Sequence, residues 1–427
     1  MDESVRGAGD ASSNLTERCS RLRGSDDVLE RVDMDFKFSA EDVAFREEVL
    51  EFLGEQLPPG WADLSEGPAE DGAANRERWE FTRGFHRALA ERGWLTLGWP
   101  QEHGGAGAGP IRQAMFNETM AHHRAPVYNQ GVDRVGPTVI MYGSDEQKEF
   151  FLPRIRSADI QWCQGFSEPG SGSDLASLQT RAQRDGDDYI INGQKIWTSG
   201  AQHADYIFML ARTEPDAPKH RGISFFLVDM KTPGITVRPL VNMANRHHFN
   251  EVFFEDVRVP AKNRVGEENR GWYVATTTLD FERSGISRVV SGVRLLGELT
   301  DLASQPGPDG RRPDEDPRIR HKLAELNIEF TVGRWLAYRV AWMQSQGLVP
   351  NHEASMSKLY GTMINQRLAG MINMFGLAGG LSGEQEHAPL HGRLPDEYLN
   401  SVPLTIAAGT SEIMRNIIAT RGLGLPR

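Results

Sequence analysis

The chain has 427 residues with a formal net charge of −12, 39% hydrophobic and 25% charged residues. That length exceeds what one hydrophobic core organises and points to two or three packed domains. The acidic balance speaks against a nucleic-acid or anionic-membrane partner, since both demand a basic face. No apolar run approaches the roughly 20 residues of a membrane-spanning helix, and the N-terminus lacks the apolar core of a signal peptide. The two cysteines, Cys19 and Cys163, make neither a disulfide framework nor a zinc site, so a cytoplasmic location is expected. No metal-ligand spacing is present; His122-His123 and His247-His248 are adjacent pairs, which rarely converge on one ion.

Residues 1–33 are polar and charge-mixed and read as a disordered extension, with Met34 a candidate true start. Native N-terminal residues upstream of Met34 would refute that start. Ser39-Ala40-Glu41-Asp42 reads as a helix N-cap with an acidic partner. Phe45, Val49, Phe52 and Leu53 follow at helical spacing until Pro58-Pro59-Gly60 stops the helix. Helices broken by Gly/Pro loops continue to Ser157, an N-terminal helical domain over residues 34–157.

Then the period changes. Tyr189-Ile190-Ile191, Asn192-Gly193 and Gln194-Lys195-Ile196-Trp197 predict a hairpin turning at Asn192-Gly193. Tyr206–Arg212, Ile223–Asp229, Ile235–Leu240 and Glu251–Val259 are short β-branched or aromatic runs between turn residues, the signature of strands. These place a central β-domain at 158–271. From 272 to 427 the pattern is helical again, broken by loops from Gln305 to Pro317 and over Leu381–Pro395. The fold class expected is therefore a multi-domain α+β chain: helical domain, central β-domain, C-terminal helical bundle. No G-x-G-x-x-G opens a βαβ unit, which argues against a Rossmann-type cofactor site.

Two runs carry the chemistry. Gln164-Gly165-Phe166-Ser167-Glu168-Pro169-Gly170-Ser171-Gly172-Ser173-Asp174 lets backbone pass close to a ligand and offers N–H and hydroxyl donors. Lys195-Ile196-Trp197-Thr198-Ser199-Gly200 sets an indole beside hydroxyls, a wall suited to a planar cofactor with polar edges. Each run alone is also what an ordinary loop or a packed strand tryptophan looks like.

Together, with Val257-Arg258-Val259-Pro260 and Ala407-Ala408-Gly409-Thr410-Ser411-Glu412-Ile413, they resemble the motifs of acyl-CoA dehydrogenases over nearly the whole chain beyond Met34. The resemblance implies FAD bound between the β-domain and the C-terminal helices. It implies oxidation of acyl-CoA to trans-2-enoyl-CoA, with hydride passing to flavin N5 and electrons to an electron-transfer flavoprotein. It also implies a homotetramer or dimer, or a hetero-oligomer. Gln164, Ser167 and the backbone around Phe166 would meet the polar edge of the isoalloxazine. Trp197 would shield the ring, Ser199 would donate toward N5, and Thr410 and Glu412 would contact the flavin. Ser173 would lie near the thioester end of the CoA arm.

The base is where the chain departs from many family members. The position of their glutamate, just before Gly-Thr, is Ala408, whose methyl group accepts no proton but whose N–H can polarise the thioester carbonyl. A subset of the family carries the glutamate just before an arginine on the helix after the β-domain. Leu279-Asp280-Phe281-Glu282-Arg283 stands there, making Glu282 the candidate base with Asp280 and Arg283 lining the CoA site. A salt-bridged surface glutamate is the competing reading, and Glu412 is the rival carboxylate. The Arg-x-x-Phe-Gly and Gln-x-Phe-Gly-Gly patterns that hold the FAD arm are replaced around Arg311-Arg312 and at Asn373-Met374-Phe375-Gly376-Leu377, and Leu399-Asn400 replaces a frequent Arg-Asp. A flavin monooxygenase on the same fold, or an FAD-sharing subunit of a heterotetramer, are the alternatives.

Overall fold

The structure, a computed structural model, describes residues 38–61, 72–281, 285–307, 310–373 and 389–426. The chain divides into two units, Met1–Phe45 and Arg46–Arg427. In the first, Ser39 Oγ accepts from the Asp42 N–H at 3.1 Å and donates to the Asp42 carboxylate at 2.7 Å, the N-cap read from sequence.

The N-terminal helices are α1 (Ala40–Gln56), α2 (Gly72–Glu91), α3 (Pro110–His122), α4 (Gly136–Tyr142) and α5 (Asp145–Arg156). Val49, Phe52 and Leu53 are buried on α1, as their spacing requires. A full capping box starts α5: Ser144 accepts from the Gln147 N–H, and the Gln147 side chain accepts from the Ser144 N–H.

Eight strands follow: β1 (Trp162–Gly165), β2 (Arg181–Asp185), β3 (Asp188–Lys195), β4 (Tyr206–Arg212), β5 (Ile223–Asp229), β6 (Ile235–Leu240), β7 (Phe249–Pro260) and β8 (Arg264–Val265). They form one sheet in the order β6-β7-β3-β2-β4-β5-β8, with β1 parallel to β4. Strands β4 and β5 are buried on both faces. On one side Ile207, Met209, Phe226 and Val228 join the sheet core with Tyr189, Val252 and Phe254. On the other, Phe208 and Phe225 stack near-parallel at 6.1 Å.

The hairpin expected at Asn192-Gly193 is not there. Asn192 and Gly193 lie inside β3, where the register against β7 shifts by a bulge. Gly193 has φ +146°, and a Cβ there would come within 2.7 Å of the Thr180 backbone. The dipeptide that often makes a tight turn is used here to let two strands pass closely. The true turn joins β2 to β3 at Gly186, φ +62°, two residues before the Asp185–Asp188 pair closes.

The C-terminal helices are α6 (Gly271–Phe281), α7 (Ile286–Ala303), α8 (Pro317–Ser345), α9 (His352–Ala369), α10 (Arg393–Ser401) and α11 (Ser411–Ile417). Leu296, Leu299, Leu326, Phe330, Ile364 and Leu368 form their shared core. Arg393 to Pro395, read as loop, begin α10 instead: Leu394 is fully buried and Arg393 reaches Glu298 at 2.9 Å, so tertiary contacts override the proline signal. The expected extension 1–33 and most of the loop from Leu381 lie outside the described residues. Among the described residues no helix is long and apolar enough to cross a membrane.

Candidate active site

The glycine-serine run leaves β1 at Gly165. A Cβ there would meet Ile207 Cδ1 at 2.7 Å, so only glycine lets β1 lie this close to β4. Pro169-Gly170 forms the tip of a tight turn closed by the Glu168 N–H to Ser171 O at 2.8 Å and the Ser171 N–H to Glu168 O at 3.0 Å. The Ile196 N–H then donates to Ser167 O at 2.9 Å, which joins the two sequence runs side by side.

An ion pair locks that junction. Lys195 Nζ, fully buried, donates to Glu168 Oε1 at 2.7 Å and to Phe166 O at 3.3 Å. Glu168 also accepts from the backbone N–H groups of Gln179 at 2.6 Å and Thr180 at 3.0 Å. Burial opposes the charge on Glu168, but the Lys195 ammonium and these donors outweigh it and hold the carboxyl below its ordinary range. Burial pushes Lys195 down to about 8 against the pull of Glu168. The pair grips the residue after Ser167 and the residue two before Trp197.

Trp197 has φ +60°, unusual for a bulky residue; the residue is 54% exposed, and its ring meets Phe249 edge-on at 5.8 Å. The next residues are pinned from behind. Thr198 and Asn250 exchange backbone hydrogen bonds at 3.0 and 3.1 Å, and the buried Asn250 amide donates again to Thr198 O. Gln130 Nε2 donates to Ser199 O at 3.3 Å, and Arg134 donates to Gln164 Oε1. Both come from the π-helical turn Gly131–Val135 and its flank. Widened turns of this kind often mark functional sites. A Cβ on Gly136 would fall 1.8 Å from the Trp99 ring, which fixes how this turn packs.

His86 supports the turn from below. Its Nε2 pairs with Pro126 O at 2.7 Å and its Nδ1 with the Asn129 amide at 3.2 Å; Asn129 Oδ1 accepts from the Val132 N–H. Burial pushes the imidazole from 6.5 down to about 4, partly opposed by the Pro126 carbonyl. The folded state thus holds the ring neutral while the unfolded chain takes up the proton first. Stability from this group is full above about pH 6.5 and is lost as pH falls toward 4, by about 3 kcal/mol in all. Unfolding measured across that range is expected to show this acid limb, flattened in His86→Asn; an equal slope in the variant contradicts it.

Of the other expected site residues, Phe166 keeps its side chain in the core, edge-on to Phe208 and Phe225, so only its backbone faces the junction. Ser173 is exposed in the turn before Asp174, which pairs with Lys219. Ala408 and Gly409 both have positive φ, +54° and +91°, and precede α11. The buried Lys358 Nζ donates to Gly409 O at 2.6 Å and Leu404 O at 3.2 Å, fixing that strained bend from α9. Thr410 is the N-cap of α11, accepting from the Ile413 N–H. Glu412 is solvent-facing, 3.5 Å from Arg415. Asp280 lies in α6, while Glu282 and Arg283 lie outside the described residues. The structure therefore brings together Gln164, Phe166, Ser167, Trp197 and Ser199; no hydrogen bond among the described residues joins them to Thr410 or Glu412.

This first group fits a flavin. Among the described residues the Ser167 and Ser199 hydroxyls have no hydrogen-bond partner, and the buried Thr198 Oγ1 and Gln130 Oε1 are unsatisfied. Unpaired donors and acceptors around an exposed indole are the complement of a ring with an apolar face and a polar edge. Sequence reasoning missed Lys195, Glu168, Gln130, Arg134 and Asn250. A signal existed for Lys195 alone: counting by two from the inward Tyr189 and Ile191 reaches it, a lysine on the core face of a strand.

Comparison with known proteins follows the same outline. Models of the acyl-CoA dehydrogenase N-terminal, middle and C-terminal domains match residues 39–159, 163–257 and 269–423. Acyl-CoA dehydrogenase IpdE1 of Mycobacterium tuberculosis is 38% identical over 390 residues, 90% of this chain and 97% of that protein. Among solved structures, the ChsE4-ChsE5 complex from Mycobacterium tuberculosis superposes with a TM-score of 0.80 at 34% identity, covering 92% of this chain and 100% of that one. The Tcur3481-Tcur3483 steroid ACAD gives 0.81 at 33% identity, with 92% and 100% covered. With all three domains matched in order and relatives similar over nearly its whole length, the chain belongs to the acyl-CoA dehydrogenase family.

Proposed function

We propose that this chain dehydrogenates an acyl-CoA thioester to the trans-2-enoyl-CoA, with Glu282 as base, and that its acyl group is bulky, of the steroid-derived class. The observation that supports the reaction most is the Ile196 N–H to Ser167 O bond, which joins the run carrying the Ser167 hydroxyl to the run carrying the exposed Trp197 and the Ser199 hydroxyl. The substrate class rests on the name of the steroid relative above.

FAD, when bound, supplies the hydride acceptor. Gln164, Ser167 and the Phe166 backbone would hold its polar edge, Trp197 would shield the ring, and Ser199 would donate to it. Thr410 and Glu412 would add contacts from the start of α11. The Ala408 N–H, held in place through Lys358 and Gly409, polarises the thioester carbonyl and so acidifies the Cα–H. Glu282 takes that proton. Asp280, Arg283 and Ser173 line the CoA arm. An electron-transfer flavoprotein reoxidises the enzyme, and the working assembly is a homo-oligomer or a pairing with a related chain, as in the ChsE4-ChsE5 complex.

The test is product analysis. FAD-loaded protein is incubated with steroid-side-chain, branched and straight-chain acyl-CoAs and an artificial electron acceptor. The expected product lacks H2 relative to substrate, forms without oxygen uptake, and forms fastest from a steroid-derived thioester. Oxygen uptake with a hydroxylated product would mean a monooxygenase on this fold.

A further inference from the structure

A cavity of about 340 Å³ lies among α1, α3, α7 and α8. It is large enough for a small organic ligand. None of the residues assigned above to flavin or CoA lines it. One wall is apolar: Val290 and Phe330 are buried at its floor, Val293 flanks them, and Leu50 at the mouth is 40% exposed.

The polar end is cationic, in a chain whose net charge is −12. Arg46, His122 and His123 line it, with Arg334 opposite. Glu118, the acid in the lining, is committed elsewhere: it accepts from Arg334 and from the Tyr338 hydroxyl. Arg294 donates to His122 O at 2.9 Å and pairs with Glu298 at 3.0 Å, so it adds positive potential behind the imidazoles without filling the space. Burial and the nearby arginines Arg294 and Arg46 hold His122 below its ordinary range. It is therefore a neutral ring with one N–H to give. Arg46 forms no ion pair or hydrogen bond among the described residues. It sits one helical turn from Leu50, so a free guanidinium and an exposed apolar side chain share the mouth.

We propose that this cavity binds an amphipathic organic anion, an aliphatic carboxylate of medium length. Arg46 and an imidazole N–H of His122 or His123 receive the carboxylate, and Leu50, Val290, Val293 and Phe330 receive the chain. A purely inorganic anion would leave the apolar wall wet, and a neutral alcohol would leave Arg46 unmatched.

The experiment is calorimetric titration of the FAD-loaded protein with octanoate, using octanol and acetate as controls, in the presence and absence of saturating acyl-CoA substrate. Saturable octanoate binding at one site per chain is expected, undiminished by acyl-CoA and stronger than for either control. Arg46→Gln, a change on the exposed surface of α1, is expected to weaken it about tenfold or more while leaving dehydrogenase turnover unchanged. No saturable binding, binding displaced by acyl-CoA, or binding indifferent to Arg46→Gln would each overturn the proposal.

Discussion

Lys195→Met is expected to lower stability by about 3–5 kcal/mol and to strip the protein of FAD. The ammonium it removes is fully buried, and the Glu168 carboxylate left behind has a side chain only 7% exposed. Two backbone N–H donors remain on that carboxylate, but its counter-charge is gone, and an uncompensated buried charge is among the few single changes that cost this much. The loss reaches the cofactor because the same ammonium holds Phe166 O, and Glu168 directly follows Ser167. Adding Glu168→Gln to Lys195→Met is expected to recover part of the stability, since it removes the stranded charge. Thermal unfolding of wild type and the two variants, with their flavin absorbance, checks this. A Lys195→Met protein as stable and as yellow as wild type would contradict it.

Glu282→Gln is expected to lower kcat by roughly 10²–10⁴-fold, the usual contribution of a positioned general base, with FAD still bound. The amide keeps the shape and loses the proton-accepting charge. Ala408 offers a methyl group where many relatives have their carboxylate, so nothing at that position substitutes. Glu412 does not replace it either: its side chain faces solvent beside Arg415. Glu412→Gln keeps a polar side chain of the same shape for the proposed flavin contact and is expected to lower kcat far less than Glu282→Gln. Steady-state rates of both variants with an artificial acceptor separate the two carboxylates.

Much of the scaffold was legible in the sequence because its signals are local. Strands β4, β5 and β6 begin and end where the β-branched and aromatic runs begin and end. The first helix starts at its Ser39 cap and stops before Pro58-Pro59. Strand β1 was missed because it is four residues long and is held by parallel pairing to a strand some forty residues later. Asn192-Gly193 misled for a related reason: a dipeptide reports that the chain departs from ideal β geometry, while the neighbouring strands decide between turn and bulge. In the site, local composition marked the glycine-serine loop and the tryptophan run, and resemblance to the family gave them a flavin role. What sets their spacing is long-range: Lys195 with Glu168, Arg134 with Gln164, Asn250 with Thr198. Of these residues only Lys195 leaves a periodic trace, on the core face of β3; the others look like ordinary surface residues until the fold joins them.

The most direct test of the account is anaerobic mixing of FAD-loaded wild type and Glu282→Gln with the best acyl-CoA from the product screen, followed at the flavin absorbance. The prediction is rapid bleaching in wild type and bound but unbleached flavin in the variant. Bleaching at the wild-type rate in Glu282→Gln would contradict the assignment of the base.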